Sequence, residues 1–243
     1  MNIRRGKEIY AFVDAANLFY GGEKSLGWKI DYQKLLDYLR GKFAVKKVFY
    51  YAGVDVEAYR PKTGKDVNLD YLITYFQEKL REEDQNEAEI ILLGKYLQRA
   101  KFYKKLSEFG YNLRIKPTKV FTNAEGTTKK ANCDVDLTFD MMRYMSQYNE
   151  AVVLSGDGDF APIVEYLQKK HKKIHVLARS ERTAREMRVL AGGNFMDFKT
   201  IRKYIEYIEP NPISPLSRHF SSDAGRGASR GKRKAPAKDA FHV

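Results

Sequence analysis

The sequence predicts an α/β fold, a three-layer αβα arrangement with a central, mainly parallel sheet. Short apolar runs of strand length alternate with segments of helical period along most of the chain, and two of those runs lead into aspartates. Alternation of this kind implies parallel pairing through crossover helices, with helices covering both faces of the sheet.

The run KEIYAFVD at 7–14 reads as the first strand and ends in Asp14; residues 32–43, with Leu35, Leu36 and Leu39 at helical spacing, form the first helix. VKKVFYYAGV at 45–54 is a second strand, followed by a charged, Gly- and Pro-containing loop around 60–66 and a helix over 68–83. Ile90 to Leu93 admits either a strand or the start of the helix that covers about 96–109. A third strand lies at 111–116, Pro117 interrupts it, and Val120 and Phe121 form a short extension before a loop at Gly126. Residues 134–148 are helical by pattern, with Val135, Phe139, Met142 and Met145 on one side. AVVLSGDGDF at 151–160 is a buried strand feeding a turn and then a helix over 162–170, proline being allowed in its first turn. A strand at 173–178, a helix at 183–190, a short strand at 194–197 and a helix at 200–208 follow.

Pro210, Pro212 and Pro215 stop regular structure, and the small, polar, basic stretch after them reads as a disordered tail. The expected organisation is one domain over 1–209 and a basic tail over 210–243, which suits a 243-residue chain with a single core. No run approaches the roughly 18 apolar residues of a spanning helix, and the first residues lack the apolar core of a signal peptide, so a cytoplasmic protein without a membrane partner is expected. Cys133 is the only cysteine, which excludes an internal disulfide and a thiolate zinc site, and the four histidines lie in the last third without a second ligand set. The formal charge is +13; the tail, with seven basic and two acidic residues, carries +5, so +8 remains elsewhere and an anionic partner such as nucleic acid is implied.

In an open parallel sheet, ligands sit at the carboxyl ends of strands, where loops on the two sides diverge. Asp14 closes the first strand, Asp157 and Asp159 follow the strand at 151–155, and Asp134 starts the helix just upstream. Asp136 and Asp140 share a helix face, whereas Asp134 lies where the helix dipole stabilises negative charge and can equally serve as a cap. Gly156 and Gly158 surround Asp157 and allow a sharp turn; an ordinary acidic turn is the alternative. Clustered carboxylates repel unless a cation lies between them, and oxygen-only ligation favours Mg²⁺ or Mn²⁺. Such an ion activates water and stabilises charge developing on a phosphodiester. Asn17 is suited to capping a helix, positioning water or touching substrate, and Ser155, a hydroxyl at a strand end, is equally ambiguous.

With FVDAANLF at 12–19, KKANCDVDLTFDMM at 129–142 and VVLSGDGDFAPIVEYL at 152–167, in that order, the chain resembles the NYN domain family, a branch of the PIN-like metal-dependent ribonucleases, over about 7–208. The resemblance implies a PIN-like fold and a metal site made by Asp14, Asp134 and Asp157 with Asp159 nearby. Asn17 acts beside them, and Asp140 and Ser155 support the site. Asp136 stands where many relatives carry a small or apolar residue, and is left out of the ligand set. The implied substrate is single-stranded or structured RNA, cut endonucleolytically.

Lys129 and Lys130 precede Asp134, and Arg179, Arg182 and Arg185 follow the strand at 173–178; all five are candidate RNA phosphate contacts, with a solvated charged face as the alternative. The RG pairs and KRK of the tail suit nucleic acid or plain solubility. Beside the ribonuclease stand a noncatalytic RNA-binding module and a protein-contacting regulatory module on the same fold. A Rossmann nucleotide enzyme is weaker, since carboxylates occupy the turns where a phosphate cradle needs open amides.

Overall fold

A computed structural model describes residues 8–19, 24–56, 67–123 and 126–209, with 119–123 and 126–130 given as backbone alone. The first strand, β1 (Ile9–Asp14), runs into a single helical turn, α1 (Ala15–Asn17). A second turn, α2 (Lys24–Leu26), precedes α3 (Tyr32–Phe43), β2 (Lys47–Val54), α4 (Leu69–Lys79), α5 (Glu87–Phe109) and β3 (Asn112–Pro117). Then come β4 (Lys119–Asn123), β5 (Gly126–Lys130), α6 (Asp134–Arg143), β6 (Glu150–Leu154), α7 (Ala161–Lys169), β7 (Lys173–Ala178), α8 (Arg185–Ala191), β8 (Phe195–Asp197) and α9 (Phe198–Ile205).

Six strands form one sheet in the order β3-β2-β1-β6-β7-β8, every pair parallel. In its centre Val13 stands opposite Tyr50 on one side and Leu154 on the other. The chain steps outward from β1 to β3, returns to the other side of β1 with β6, and steps outward again. The switch point therefore lies between β1 and β6, and their carboxyl ends border the crevice where such sheets bind ligands.

The period of two in β1 assigns its side chains to both faces. Ala11 and Val13 pack with residues of α3, α4, α5 and α9, including Leu36, Phe76, Tyr103 and Ile201. Tyr10 and Phe12 pack on the other face with residues of α6, α7 and α8, including Leu137, Val164 and Met187. A strand covered on both faces reads as a continuous apolar run, which is why IYAFV precedes Asp14 without a polar interruption. The expected three-layer αβα architecture is present.

Several elements differ from the sequence-based expectation. Of the two alternatives for Ile90 to Leu93 the helical one holds, and the difference is that α5 starts at Glu87 and not near 96, because Asn86 and Glu89 close a capping box: Glu89 N–H donates to Asn86 Oδ1 at 3.0 Å and Asn86 N–H to Glu89 Oε2 at 3.2 Å. Val120 and Phe121 belong not to an extension of β3 but to β4, which pairs antiparallel with β5 in a separate two-stranded sheet. The helix expected over 134–148 stops at Arg143, and its buried residues are Leu137, Asp140 and Met141. Val135 and Phe139 face solvent. The loop at 60–66 and the tail at 210–243 lie outside the described residues. Among the described residues, no helix is long and apolar enough to cross a membrane.

Candidate active site

Strand β1, buried along its length, delivers Asp14 to the switch point with only 7% of its surface exposed. Both of its carboxylate oxygens are held. Oδ1 accepts the Asn17 N–H at 3.1 Å, which caps α1, and Oδ2 accepts the Ser155 hydroxyl at 3.1 Å. Ser155, fully buried just past β6, also accepts the Asp157 N–H at 3.2 Å. Asn17 Oδ1 accepts the Gly156 N–H at 3.0 Å. Two of these hydrogen bonds, Ser155 to Asp14 and Gly156 to Asn17, lace the loop after β1 to the loop after β6 while the other two brace each loop internally, and two residues with ambiguous sequence roles, Asn17 and Ser155, act as the fasteners.

Asp157 caps the 3₁₀ turn at 158–160, its Oδ1 accepting the Asp159 N–H at 3.0 Å, and both aspartates are exposed. The glycines beside them are needed for close approach. A Cβ on Gly156 would stand 2.7 Å from Thr183 Oγ1 and 3.0 Å from Thr183 Cα, and one on Gly158 would run into the Glu186 carboxylate. The acidic loop therefore packs flush against the segment that opens α8.

Asp134 begins α6 half-buried, its N–H held by Asn132 Oδ1 at 2.9 Å. Its own burial raises its carboxyl above the ordinary carboxylate range; the charges of Asp157 and Asp159 raise it further, and Lys116 opposes them. Burial likewise pushes Asp14 up to about 6, against the hydrogen bonds from Asn17 and Ser155 and with the charge of Asp134 adding to the rise. Asp14, Asp134, Asp157 and Asp159 thus form one electrostatic group contributed by β1, α6 and the loop after β6.

Among the described residues no three His, Cys, Asp or Glu side chains are gathered into a ready-made metal shell. The donor chemistry nonetheless fits a hard divalent ion: the electrostatic group offers carboxylate oxygens alone, and Mg²⁺ keeps several waters beside one or two carboxylates. The residues that would hold it are Asp14, Asp134 and Asp157, with Asp159 adjoining.

Asp140 has a different attachment. It is 4% exposed and accepts the Tyr51 hydroxyl at 3.0 Å and Arg114 Nε–H at 2.9 Å, while Arg114 Nη2 donates to the Tyr144 hydroxyl at 3.2 Å. This buried carboxylate and half-buried guanidinium tie α6 to β2 and β3. Asp136 is ion-paired with Lys116, which also donates to the Asn132 carbonyl at 3.2 Å. Lys116, which the sequence reading passed over, is thus the cation beside Asp134; its place depends on strand order, for which its neighbourhood in sequence holds no signal. Asp55 was passed over too. It follows β2 at the carboxyl edge, buried, and is engaged by Arg99 at 3.5 Å and the Thr118 hydroxyl at 2.9 Å. Burial pushes the Cys133 thiol up to about 12, so it stays a neutral, unreactive thiol.

Of the candidate phosphate contacts, Arg182 and Arg185 are exposed, whereas Arg179 is buried with Nη2 on Glu181 at 2.6 Å. Lys129 and Lys130 lie on β5, and their side chains are outside the described set.

A parallel α/β domain with an acidic group at its switch point is the class these features define. The chain belongs to the NYN domain family, whose model matches residues 8–199. It is 28% identical over 213 residues to the low amplitude and bright protein LabA of Synechococcus elongatus, covering 86% of this chain and 94% of that protein. The crystal structure of VPA0982, a protein of unknown function from Vibrio parahaemolyticus, shares the fold at a TM-score of 0.51 and 20% identity, over 82% of this chain and 96% of that one.

Proposed function

We propose that this protein is a ribonuclease dependent on Mg²⁺ or Mn²⁺ that hydrolyses RNA phosphodiester bonds endonucleolytically. The observation that supports this best is the gathering of acidic groups at the switch point of the sheet, where the carboxyls of Asp14 and Asp134 are both raised, Asp134 by burial and then by the charges of Asp157 and Asp159, Asp14 by burial with the charge of Asp134 adding to it. Membership of the NYN family agrees with it. So does the +8 charge outside the tail, which favours a polyanionic substrate.

In this reading Asp14, Asp134 and Asp157 hold the ion and Asp159 adjoins them. A divalent ion there supplies charge neutralisation for the carboxylates and electrostatic stabilisation of the attacked phosphodiester. Ser155 orients Asp14 through Oδ2 and restrains the Asp157 backbone, so one hydroxyl sets two of the three carboxylates. Asn17 fixes the Gly156 amide and thereby the course of the acidic loop. Asp140 supports the site at a distance by anchoring α6, the helix that begins with Asp134.

The test incubates end-labelled single-stranded and hairpin RNAs with the protein in Mn²⁺, Mg²⁺ or EDTA, beside Asp14→Asn and Asp157→Asn. Cleavage that needs metal and disappears in both variants is the expected result. If no RNA is cut while binding persists in EDTA and in Asp157→Asn, the chain is an RNA-binding module on a nuclease fold and the proposal fails.

A further inference from the structure

A groove of about 530 Å³ lies beside α8, lined by Thr183, Arg185, Arg188, Val189, Gly192 and Phe195. It adjoins the acidic loop through a shared wall, since Thr183 is the residue against which Gly156 packs. Arg185 and Arg188 are exposed, and neither is ion-paired with a carboxylate among the described residues. The Arg188 guanidinium lies over the Phe195 ring at 5.9 Å from its centroid, and Val189 is 71% exposed. Gly192, at a φ of +50°, ends α8 without a side chain to fill the floor.

We infer that this groove binds a single-stranded segment of RNA, with backbone phosphates on Arg185 and Arg188 and a base against Val189 and Phe195, leading the strand into the acidic site. Two guanidinium groups with no carboxylate partner among the described residues, at the edge of one groove, present planar forks that match phosphate oxygens, and they are more weakly hydrated than lysine ammonium groups. The apolar wall between them suits a base face. In a duplex that face is stacked and inaccessible, so the groove selects single strands. The choice of RNA among polyanions rests on the ribonuclease reading; the groove's character as a phosphate and base site rests on its own residues.

The test is fluorescence anisotropy of a labelled single-stranded oligouridylate of about a dozen nucleotides, measured in EDTA over a series of salt concentrations, so that cleavage plays no part. Proteins compared are the full chain, Arg185→Ala/Arg188→Ala, Val189→Ser and, as a control on α7, Lys169→Ala. Loss of two phosphate contacts to a single strand lowers the slope of log affinity against log salt by about 1.4. We expect that shallower slope and weaker binding in the arginine variant, weaker binding with an unchanged slope in the uncharged Val189→Ser, and wild-type behaviour in the control. All four positions are solvent-exposed, and equal urea midpoints will establish that folding is intact. No binding by the wild type, an unchanged affinity and slope in the arginine variant, or equal affinity for a blunt RNA duplex would each overturn the inference. If the arginine variant loses binding but the wild type never cuts RNA, the groove stands and the nuclease reading falls. Metal-dependent cleavage with binding indifferent to the arginines gives the reverse.

Discussion

In the metal-free protein, Asp14→Asn is expected to raise stability while abolishing activity. Asp14 is 7% exposed and its carboxyl is displaced from 3.8 to about 6. That displacement corresponds to about 3 kcal/mol held against the folded state at pH 8. The sign follows from proton binding. The folded chain holds the Asp14 proton more tightly than the unfolded chain does, so stability is greatest below pH 4, falls as pH rises toward 6, and is flat above about 7. At pH 4.5 the wild type should have recovered about 2 of the 3 kcal/mol. Asparagine carries no charge at either pH, its oxygen can accept the Asn17 N–H, and its amide can donate to Ser155 once that hydroxyl turns its proton away. Weaker hydrogen bonds to a neutral acceptor reduce the gain to about 1–2 kcal/mol at pH 8. Urea denaturation in EDTA at pH 8 and pH 4.5 reads the effect. The variant should be the more stable at pH 8, and the gap should narrow or reverse at pH 4.5. Mg²⁺ at about 100 times its dissociation constant should add about 2.7 kcal/mol to the wild type and far less to the variant. Equal or lower stability of Asp14→Asn at pH 8, or a gap that does not change with pH, would refute the reasoning.

Three further perturbations separate the roles assigned above. Ser155→Ala removes the donor to Asp14 Oδ2 and the acceptor for the Asp157 N–H; a loss of about 1–3 kcal/mol in urea denaturation and a large fall in metal-dependent cleavage are expected, and unchanged cleavage would remove its positioning role. Gly156→Ala meets the Thr183 backbone at 3.0 Å, whereas Gly158→Ala meets the flexible end of Glu186 and the Ala184 Cβ at 3.2 Å, so the first should cost about 1–3 kcal/mol and the second less than the first, compared by thermal melting. Arg114→Ala leaves the buried Asp140 carboxylate with Tyr51 alone; a loss of about 3 kcal/mol is expected, largely restored in Arg114→Met/Asp140→Leu/Tyr51→Phe, which leaves no buried Tyr51 hydroxyl without its acceptor, and failure of the triple variant to recover would mean that the pair does more than anchor α6.

The parts of the site legible in sequence are those whose signal is local. Asp14 and Asp157 follow apolar strands, and glycines bracket Asp157, so strand, turn and carboxylate can be read from adjacent residues. What the residues cannot state locally is the pairing order, which puts β6 beside β1 and turns two aspartates 143 positions apart in the numbering into neighbours. Asp140 shows the same limit: it shares a helix face with Asp136 by spacing, yet its acceptor atoms belong to Arg114 and Tyr51 on two other strands. Its burial also explains the misplaced face of α6. A charged residue occupies a core position there while Val135 and Phe139 stand in solvent, so the apolar period points the wrong way.

That inversion bears on how the acidic group is held. A helix whose apolar stripe alone set its orientation could roll to bury Val135 and Phe139, carrying Asp134 away from Asp14. The Asp140–Arg114 pair opposes the roll, because rotation would break the hydrogen bonds that Tyr51 and Arg114 donate to Asp140 and leave the buried Tyr51 hydroxyl without its acceptor. The interaction contributes little to stability relative to a well-packed apolar pair of the same shape, and its value lies in fixing rotation about the helix axis. The Asp136–Lys116 pair lies one turn earlier and, exposed on both sides, adds a weaker restraint in the same sense. Two carboxylates on α6 are thereby committed to orientation, which leaves Asp134 as the α6 carboxylate directed to the group at the switch point.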